Sequence, residues 1–425
     1  MKYHIWTIGC QMNKADSWRA AQELEALGYV PSEGADDADL ILLNTCVVRQ
    51  SAEDKVYGRL SSLKSFKRKD PEAVIAVMGC LVEEDSTSLQ QRFPFVDLFL
   101  RPSDVAGLAR FATGGLGGQR YHVVESSSQV PVSCYVPVVH GCDNFCTYCI
   151  VRLRRGPDRS RPLAEVVEEV RCLAERGARE VTLLGQNVDA YGRDLRGRPD
   201  LADLLHAVHE IDNLWRIRFL TSHPNNMSER IIEAVARLSK VCEHIELPVQ
   251  AGHDLTLKRM ARGYTLEQYR RLVAGIRERV PGVALATDVI VGFPGETEEH
   301  FQATYELLAE ERFDVVRVAA YSPRPGTAAA RLEDDVPQEE KDRRRQLIEE
   351  LQRQIATEIN HELLESTTEV LVEGKHKGKW KGRTRTNKLV FFADEADWRG
   401  ELAQVEITWA GPWSMQGRLK APHPI

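Results

Sequence analysis

Three cysteines share one short run, Gly141-Cys142-Asp143-Asn144-Phe145-Cys146-Thr147-Tyr148-Cys149. Thiols spaced Cys-x3-Cys-x2-Cys on one loop can hold three irons of a cubane cluster, leaving the fourth iron without a protein ligand. An iron left open in this way can bind a substrate or a cofactor. Zinc is the plain alternative. It normally takes four ligands in paired spacings, and no suitable fourth Cys or His adjoins the loop.

A second set is spread over the first eighty residues: Cys10, Cys46 and Cys80 each follow a short apolar run. If those runs are parallel strands, all three thiols emerge at one sheet edge, which core filling does not explain. They read together as a second three-cysteine cluster site. A redox disulfide stays open as an alternative, although no Cys-x-x-Cys pair occurs here. Cys134, Cys172 and Cys242 fall in strand or helix patterns and are read as structural, as are His140 and His223.

The elements that must position these residues follow from periodicity. The chain has 425 residues, is 43% hydrophobic and 28% charged, and carries a net charge of -7. That length calls for two or three domains. No apolar run is long enough to span a membrane, and the start Met1-Lys2-Tyr3-His4-Ile5-Trp6 lacks a signal-peptide core, so a cytosolic protein is expected. Nine cysteines in a reducing compartment suit metal or redox chemistry better than a disulfide scaffold.

In the first domain, 1–118, the strands expected are His4 to Ile8, Leu40 to Leu43 and Val74 to Val77. Ser17 is placed as the cap of a helix that carries Ala21, Leu24 and Leu27 inward and stops near Gly28. Ala52, Val56, Leu60 and Leu63 make a second apolar helix face. This β-α-β-α-β order implies a parallel α/β sheet. Thr113 to Gly118 and Ser126 to Ser128 read as a linker. The second domain, 130–362, alternates six strand candidates (Tyr135 to Val139, Glu180 to Leu184, Arg216 to Leu220, His244 to Pro248, Leu285 to Ile290, Asp314 to Ala320) with helices such as Leu163 to Glu175, Ser228 to Leu238 and Leu266 to Arg279. That pattern predicts a partial or complete β/α barrel, followed by a long charged helix over Gln338 to Leu364. The third, 363–425, clusters like short strands at Glu369 to Glu373, Lys388 to Ala393 and Leu402 to Trp409, which predicts a small β-barrel.

The Cys-x3-Cys-x2-Cys loop, with an aromatic residue just before its last Cys, resembles that of the radical S-adenosylmethionine superfamily. Nearly the whole chain resembles the methylthiotransferases within it. The motifs that carry this are Gly9-Cys10-Gln11-Met12-Asn13, Asn44-Thr45-Cys46-Val47-Val48-Arg49, Met78-Gly79-Cys80, Ser160-Arg161-Pro162, Leu184-Gly185-Gln186-Asn187-Val188, Thr221-Ser222-His223-Pro224, Leu247-Pro248-Val249-Gln250, Arg262-Gly263-Tyr264-Thr265, Asp288 to Thr297 and Tyr321 to Thr327. The tail resembles a TRAM domain. Where the family continues the cysteine loop with Pro-Tyr, this chain has Arg152-Leu153.

The resemblance implies two 4Fe-4S clusters, on Cys142, Cys146 and Cys149 and on Cys10, Cys46 and Cys80, with S-adenosylmethionine on the open iron of the first. It implies reductive cleavage to a 5′-deoxyadenosyl radical, hydrogen removal from carbon 2 of N6-isopentenyladenosine at tRNA position 37, sulfur delivered from or through the second cluster, and methyl from a second S-adenosylmethionine. The alternatives within the family act on threonylcarbamoyladenosine in tRNA or on a ribosomal protein aspartate. The partners expected are the tRNA anticodon stem-loop, an electron donor such as flavodoxin and a sulfur source, with no membrane. Tyr148, Gln186, Asn187, Gln250 and Asp288 are candidates to bind the cofactor from the loop and the strand ends. For RNA, Gly374 to Arg385 contains no acidic residue and interleaves Trp380 among Lys375, Lys377, Lys379, Lys381, Arg383 and Arg385. Basic side chains neutralise phosphates and an aromatic face stacks an unpaired base. Arg152, Arg154 and Arg155 are expected to add a second phosphate contact near the loop.

Overall fold

The apolar runs of the first hundred residues close into one parallel sheet. In the computed structural model, which describes residues 1–47, 50–83, 85–114 and 130–420, its five strands lie in the order Val30–Pro31, Lys2–Thr7, Leu40–Thr45, Val74–Gly79, Leu98–Leu100. All are parallel. Leu40–Thr45 is central and wholly buried, which is why it shows no alternation in sequence. Its side chains divide by parity. Leu40 and Leu42 pack with Ala20, Leu24, Ala76 and Met78 on one face. Ile41 and Leu43 pack with Val56, Leu60, Leu63, Ile75 and Val77 on the other.

One expectation fails here. The first helix runs Gln11–Ala26 with Cys10, not Ser17, at its N-cap. The strand ends at Thr7 and the helix begins almost at once, so Ser17 falls inside it. There its hydroxyl is shared with Thr7 Oγ1 at 2.7 Å and Asn44 Nδ2 at 2.9 Å. The stop near Gly28 holds, with that residue in the left-handed region at φ 83. Of the expected linker, Thr113 and Gly114 close the helix Val105–Gly114, and the rest lies outside the described residues.

Contacts divide the chain into two compact units. The first holds the N-terminal sheet and also takes His140–Asn144 and Cys149–Pro157. The second holds Val130–Val139, Phe145–Tyr148 and Asp158–Ile425.

In the second unit six parallel strands form two three-stranded sheets. Arg216–Leu220, Glu180–Leu184 and Ser133–Pro137 make one, and His244–Glu246, Ala284–Val291 and Val315–Ala320 the other. A bridge between Ile217 and Val241 joins them. This is an incomplete β/α barrel of six strands. Helices Leu163–Glu175, Glu229–Arg237 and Leu266–Arg279 cover it, the last two capped by Ser228 and Thr265. The helix Gln338–His361 leads to a closed five-stranded barrel, order Thr367–His376, Lys379–Arg383, Leu389–Phe392, Met415–Leu419, Leu402–Ala410. Val370, Val372, Trp380, Phe392, Val405, Ile407 and Met415 fill it. No helix among the described residues is long and apolar enough to cross a membrane.

The small barrel is fastened to the six-stranded sheet by buried arginines. Arg218 donates Nε to Glu180 Oε2 at 2.9 Å, Nη1 to Arg385 O at 2.6 Å and Nη2 to Thr384 O at 2.7 Å. Arg216 donates Nη1 to Arg383 O at 2.6 Å and Nη2 to Glu369 Oε1 at 2.8 Å. Removing one partner of a buried pair leaves a charge uncompensated. Glu180→Ala is therefore expected to cost about 3–5 kcal/mol, read as a lower urea midpoint. An unchanged midpoint would show that Arg218 is satisfied by the two carbonyls alone.

Candidate functional site

Parallel strands deliver the three N-terminal thiols to one edge. Cys10 follows Lys2–Thr7 after a short turn, Cys46 directly follows Leu40–Thr45, and Cys80 directly follows Val74–Gly79. Two asparagines hold the turns. Asn13 Oδ1 accepts from Cys10 N and the Cys10 thiol, both at 3.3 Å. Its Nδ2 donates to Asn44 Oδ1 at 2.9 Å and Thr45 O at 3.0 Å. Asn44 returns a bond to Asn13 O at 2.8 Å, and Cys80 N donates to Thr45 O at 2.9 Å. The packing admits no side chain at two positions. A Cβ on Gly9, at φ 149, would lie 2.4 Å from Asn13 Oδ1 and 2.8 Å from Cys46 Cβ. One on Gly79, at φ 112, would lie 2.3 Å from Thr45 O.

None of the three forms a disulfide; Cys10 is exposed, and Cys46 and Cys80 are buried. Burial raises the Cys80 pKa, Arg155 opposes the rise, and the neighbouring Cys10 adds to it. Soft thiolate donors beside a guanidinium suit an iron–sulfur cluster. Among the described residues no three His, Cys, Asp or Glu side chains converge closely enough to hold one metal ion. A cubane cluster is larger than an ion and gives each thiolate its own iron.

Gly141, at φ 81, opens the second cysteine loop, and a Cβ there would lie 2.0 Å from Pro157 O. Cys142 N donates to Gly156 O at 3.0 Å. Cys142 and Cys149 pack with the first unit, whereas Cys146 and Tyr148 pack with the second. Within the second unit Arg262 Nη1 donates to Cys146 Sγ at 3.2 Å, Nη2 to Pro248 O at 3.0 Å and Nε to Tyr264 OH at 3.1 Å. Thr147 N donates to Met260 O at 3.1 Å. Arg262 is thus a site residue that sequence reasoning passed over. The signal was its place in Arg262-Gly263-Tyr264-Thr265, one of the segments that carry the family resemblance.

Of the cofactor candidates, Gln186, Asn187 and Gln250 lie just beyond strand ends in the second unit, Asp288 lies within Ala284–Val291 and Tyr148 on the cysteine loop. Asn187 Nδ2 donates to Asn226 Oδ1 at 2.7 Å, while its own Oδ1 is buried without a hydrogen-bond partner. An orphaned acceptor of this kind fits a ligand that brings a donor. Gln250 takes the left-handed conformation, φ 74, and its backbone pairs with Asp288 O at 2.9 Å and Ile290 N at 3.0 Å. Asp288 lies 3.9 Å from Arg317, which also pairs with Glu246 on the neighbouring strand. Gln186 is half-buried, and Tyr148 meets Phe293 edge-on at 6.5 Å. His223 is held neutral, its pKa lowered to about 3 by burial and by Arg262 and Arg193.

The RNA candidates divide. Lys375, Lys377 and Lys379 are exposed at the tip of the hairpin that joins Thr367–His376 to Lys379–Arg383. Lys381 and Arg383 face Glu373 at 3.5 and 3.4 Å. Two expectations are corrected. Trp380 is 5% exposed, its Nε1 donates to Asp394 O at 3.1 Å, and Lys375 covers its ring at 4.4 Å. It is a core residue and offers no face to a base. Arg385 grips Glu243 at 2.7 Å and the carbonyls of Ser239 and Val241, so it holds the small barrel in place. The expected phosphate group near the loop is redirected as well. Arg154 pairs with Glu83 at 2.5 Å and Arg155 is buried beside Asp16, both in the first unit.

The exposed aromatics of the small barrel are instead Trp409, 50% exposed, and Trp413, 58% exposed. A bulge between Ile407 and Trp409 interrupts the alternation Ala403, Val405, Ile407 and turns Trp409 outward. No propensity rule marks that bulge in the sequence.

The Uncharacterized protein family UPF0004 matches residues 2–101, the Radical SAM superfamily 136–308 and the TRAM domain 364–420. A tRNA-2-methylthio-N(6)-dimethylallyladenosine synthase of Roseiflexus sp. is 52% identical over 98% of this chain and 89% of the relative. One of the same name from Herpetosiphon aurantiacus is 48% identical over 98% and 97%. Among solved structures, the radical S-adenosylmethionine methyltransferase TsrM from Kitasatospora setae, with cobalamin and a 4Fe-4S cluster bound, has a TM-score of 0.57 at 14% identity. It covers 77% of this chain and 76% of that one. The cobalamin-dependent radical enzyme OxsB, with aqua-cobalamin and S-adenosylmethionine bound, gives 0.51 at 12% identity over 82% and 56%. These two share the fold.

Asp189 offers a check on the buried strand end. It accepts from Ser222 Oγ at 2.9 Å and His223 N at 3.1 Å, and burial, only partly offset by these bonds, pushes its pKa from 3.8 up to about 7. The folded state then keeps a proton that the unfolded chain has released. The stability this contributes is complete below 3.8 and is lost as pH rises through about 7. Asp189→Asn should flatten that fall, seen as a smaller drop in melting temperature between roughly pH 4 and roughly pH 7.

Proposed function

The chain belongs to the tRNA-2-methylthio-N(6)-dimethylallyladenosine synthase family of radical S-adenosylmethionine enzymes, and on that premise we propose that it installs a methylthio group on carbon 2 of N6-isopentenyladenosine at tRNA position 37 using two 4Fe-4S clusters. The observation that carries the two-cluster reading is the delivery of Cys10, Cys46 and Cys80 to one sheet edge, apart in sequence from the loop of Cys142, Cys146 and Cys149. When bound, the loop cluster supplies the electron that cleaves S-adenosylmethionine, and the N-terminal cluster supplies the route for sulfur.

The protein's own residues do the positioning. Arg262 fixes the middle loop thiol by a hydrogen bond from a buried guanidinium. Asn187, Gln186, Gln250, Asp288 and Tyr148 are assigned to the polar parts of S-adenosylmethionine, with the orphaned Asn187 Oδ1 ready to accept a donor. An unactivated C–H bond needs radical chemistry, so the protein contributes geometry and exclusion of water more than acid–base work. Three modules, 1–118, 130–362 and 363–425, share these tasks. The working partners are the anticodon stem-loop, a flavodoxin-like electron donor and a sulfur source in the cytosol.

RNA binding is assigned to the small barrel through Lys375, Lys377 and Lys379 and through Trp409 and Trp413. Loss of a stacking aromatic costs about 1–3 kcal/mol per base. Trp409→Ala and Trp413→Ala are expected to weaken anticodon stem-loop binding by roughly 5- to 150-fold, measured by fluorescence titration. Changing the three lysines should instead reduce the salt dependence of binding. Equal affinity in both tryptophan variants would move the base contact elsewhere.

The central test is iron and sulfide content after anaerobic reconstitution. About eight irons are expected in the wild type and about four in Cys10→Ala/Cys46→Ala/Cys80→Ala. Mass spectrometry of tRNA nucleosides from a deletion strain should show loss of the methylthio form and accumulation of N6-isopentenyladenosine. Four irons in both proteins would withdraw the second cluster.

A further inference from the structure

The segment that follows strand Glu180–Leu184 carries more than Gln186 and Asn187. After the short turn Val188–Ala190 it continues as Tyr191-Gly192-Arg193-Asp194-Leu195-Arg196-Gly197-Arg198-Pro199 before the helix Leu201–His209 begins. Arg193, Arg196 and Arg198 are all exposed, with Asp194 the one acidic residue among them. The function assigned above uses none of them.

The backbone of this loop is held firmly. Ser160 Oγ accepts from Gly192 N and Ser160 N donates to Asp194 Oδ2, both at 2.9 Å. Tyr191 OH donates to Arg161 O at 2.9 Å. Two turns follow, closed by Leu195 N to Gly192 O at 3.0 Å and Arg198 N to Leu195 O at 3.1 Å. Gly192, at φ 80, lies so close to the Pro199 carbonyl that a Cβ would collide with it. The arginine side chains therefore project from a fixed frame.

The carboxylates around them are engaged elsewhere. Asp194 is taken by Ser160 N, Asp200 and Asp203 pair with Arg230, and Asp189 accepts from Ser222 Oγ and His223 N. Among the described residues none of the three arginines forms an ion pair or a side-chain hydrogen bond. Like charges on one short loop repel one another, a cost that folding does not explain and a bound polyanion removes. Arg193 and Arg198 line a cavity of about 480 Å³ together with Tyr191 and Asn226. Asn226 is also the acceptor for Asn187 Nδ2, at 2.7 Å, while Asn187 Oδ1 is orphaned. The cavity and the strand end assigned to the cofactor thus share one residue.

We propose that Arg193, Arg196 and Arg198 form a phosphate-contact edge for the tRNA backbone at the strand ends of the β/α barrel, seating phosphates close to the nucleoside that is modified. The proposal rests on the tRNA reading given above. Guanidinium groups take phosphate oxygens in pairs, and a loop already ordered spares the cost of fixing it on binding. Contacts to the backbone position the stem-loop without reading its sequence. Arg216, the first residue of its strand, fastens the small barrel, whereas the arginine loop leaves the far end of the parallel neighbour Glu180–Leu184. The two RNA surfaces are distinct.

The experiment titrates the anaerobically reconstituted full chain with a fluorescent anticodon stem-loop at several salt concentrations. Arg193→Gln/Arg196→Gln/Arg198→Gln is expected to weaken binding at least roughly tenfold at low salt. The slope of log affinity against log salt should become shallower by about two to three. Arg193→Lys/Arg196→Lys/Arg198→Lys, which keeps the charge, should hold the wild-type slope. The loss should be the same for stem-loops carrying adenosine or N6-isopentenyladenosine at position 37, because both have the same phosphates. An unchanged slope in the glutamine variant overturns the proposal. Equal loss in both variants also overturns it, since the arginines would then serve the fold. Weakening confined to the isopentenylated RNA would make this a base contact and overturns it too. Unchanged RNA affinity with slower reduction by a flavodoxin-type donor would give the patch to an acidic protein instead. A wild-type chain that binds neither stem-loop removes the tRNA reading itself and the proposal with it, an outcome distinct from insensitivity of the arginine loop.

Discussion

Parallel strand direction is the constraint on which the N-terminal site depends. Every strand of that sheet runs the same way, so the residues that follow Thr7, Thr45 and Gly79 are brought to one edge although they are far apart in sequence. The direction alone would leave three flexible loops. The reciprocal bonds between Asn13 and Asn44, buried and with every donor used, convert that edge into a fixed cradle. In a low-dielectric interior such bonds are strong, and an unpaired member would be costly. The glycines at 9 and 79 belong to the same constraint, since the backbone passes too close to its neighbours for a side chain.

The second unit solves a different problem. It places Gln186, Asn187 and Gln250 just beyond strand ends and also carries a small barrel. Arg216 and Arg218 accomplish the second task from within a strand, spending their donors on carbonyls and carboxylates of the barrel. Arg385 reciprocates onto Glu243 and the carbonyls beside it. Positive charge that looks available for phosphate in the sequence is therefore partly consumed by folding. What remains exposed is the lysine-bearing hairpin tip, and the aromatic surface is moved from Trp380 to Trp409 and Trp413.

Arg262 joins the second cysteine loop to the strand end beside it. Its buried guanidinium donates to the Cys146 sulfur and to the Pro248 carbonyl. It acts through the thiol rather than on substrate, and a positive charge held beside a sulfur favours the thiolate form that ligates iron.

The sequence by itself determined the central strands and main helices, the two cysteine sets, the β/α alternation and the small terminal barrel, because these depend on periodicity and on the spacing of a few chemically distinctive residues. It missed the short strands Val30–Pro31, Leu98–Leu100, Lys379–Arg383 and Met415–Leu419, whose pairing is set by their neighbours. Helices Leu163–Glu175 and Leu266–Arg279 were legible to the residue, since their apolar faces and termini are local signals. Tertiary structure alone decided which charges and aromatics are free. Whether Trp380 stacks a base or fills a core depends on the strand that covers it. Whether Arg154, Arg155 and Arg385 meet phosphate or protein depends on carboxylates and carbonyls far away in the chain. Ser17 was misplaced for the same reason, its hydroxyl being claimed by Thr7 and Asn44 across the fold rather than by its own helix terminus. Spacing along a chain reports what chemistry is available, but burial and partner geometry are set only when distant segments pack.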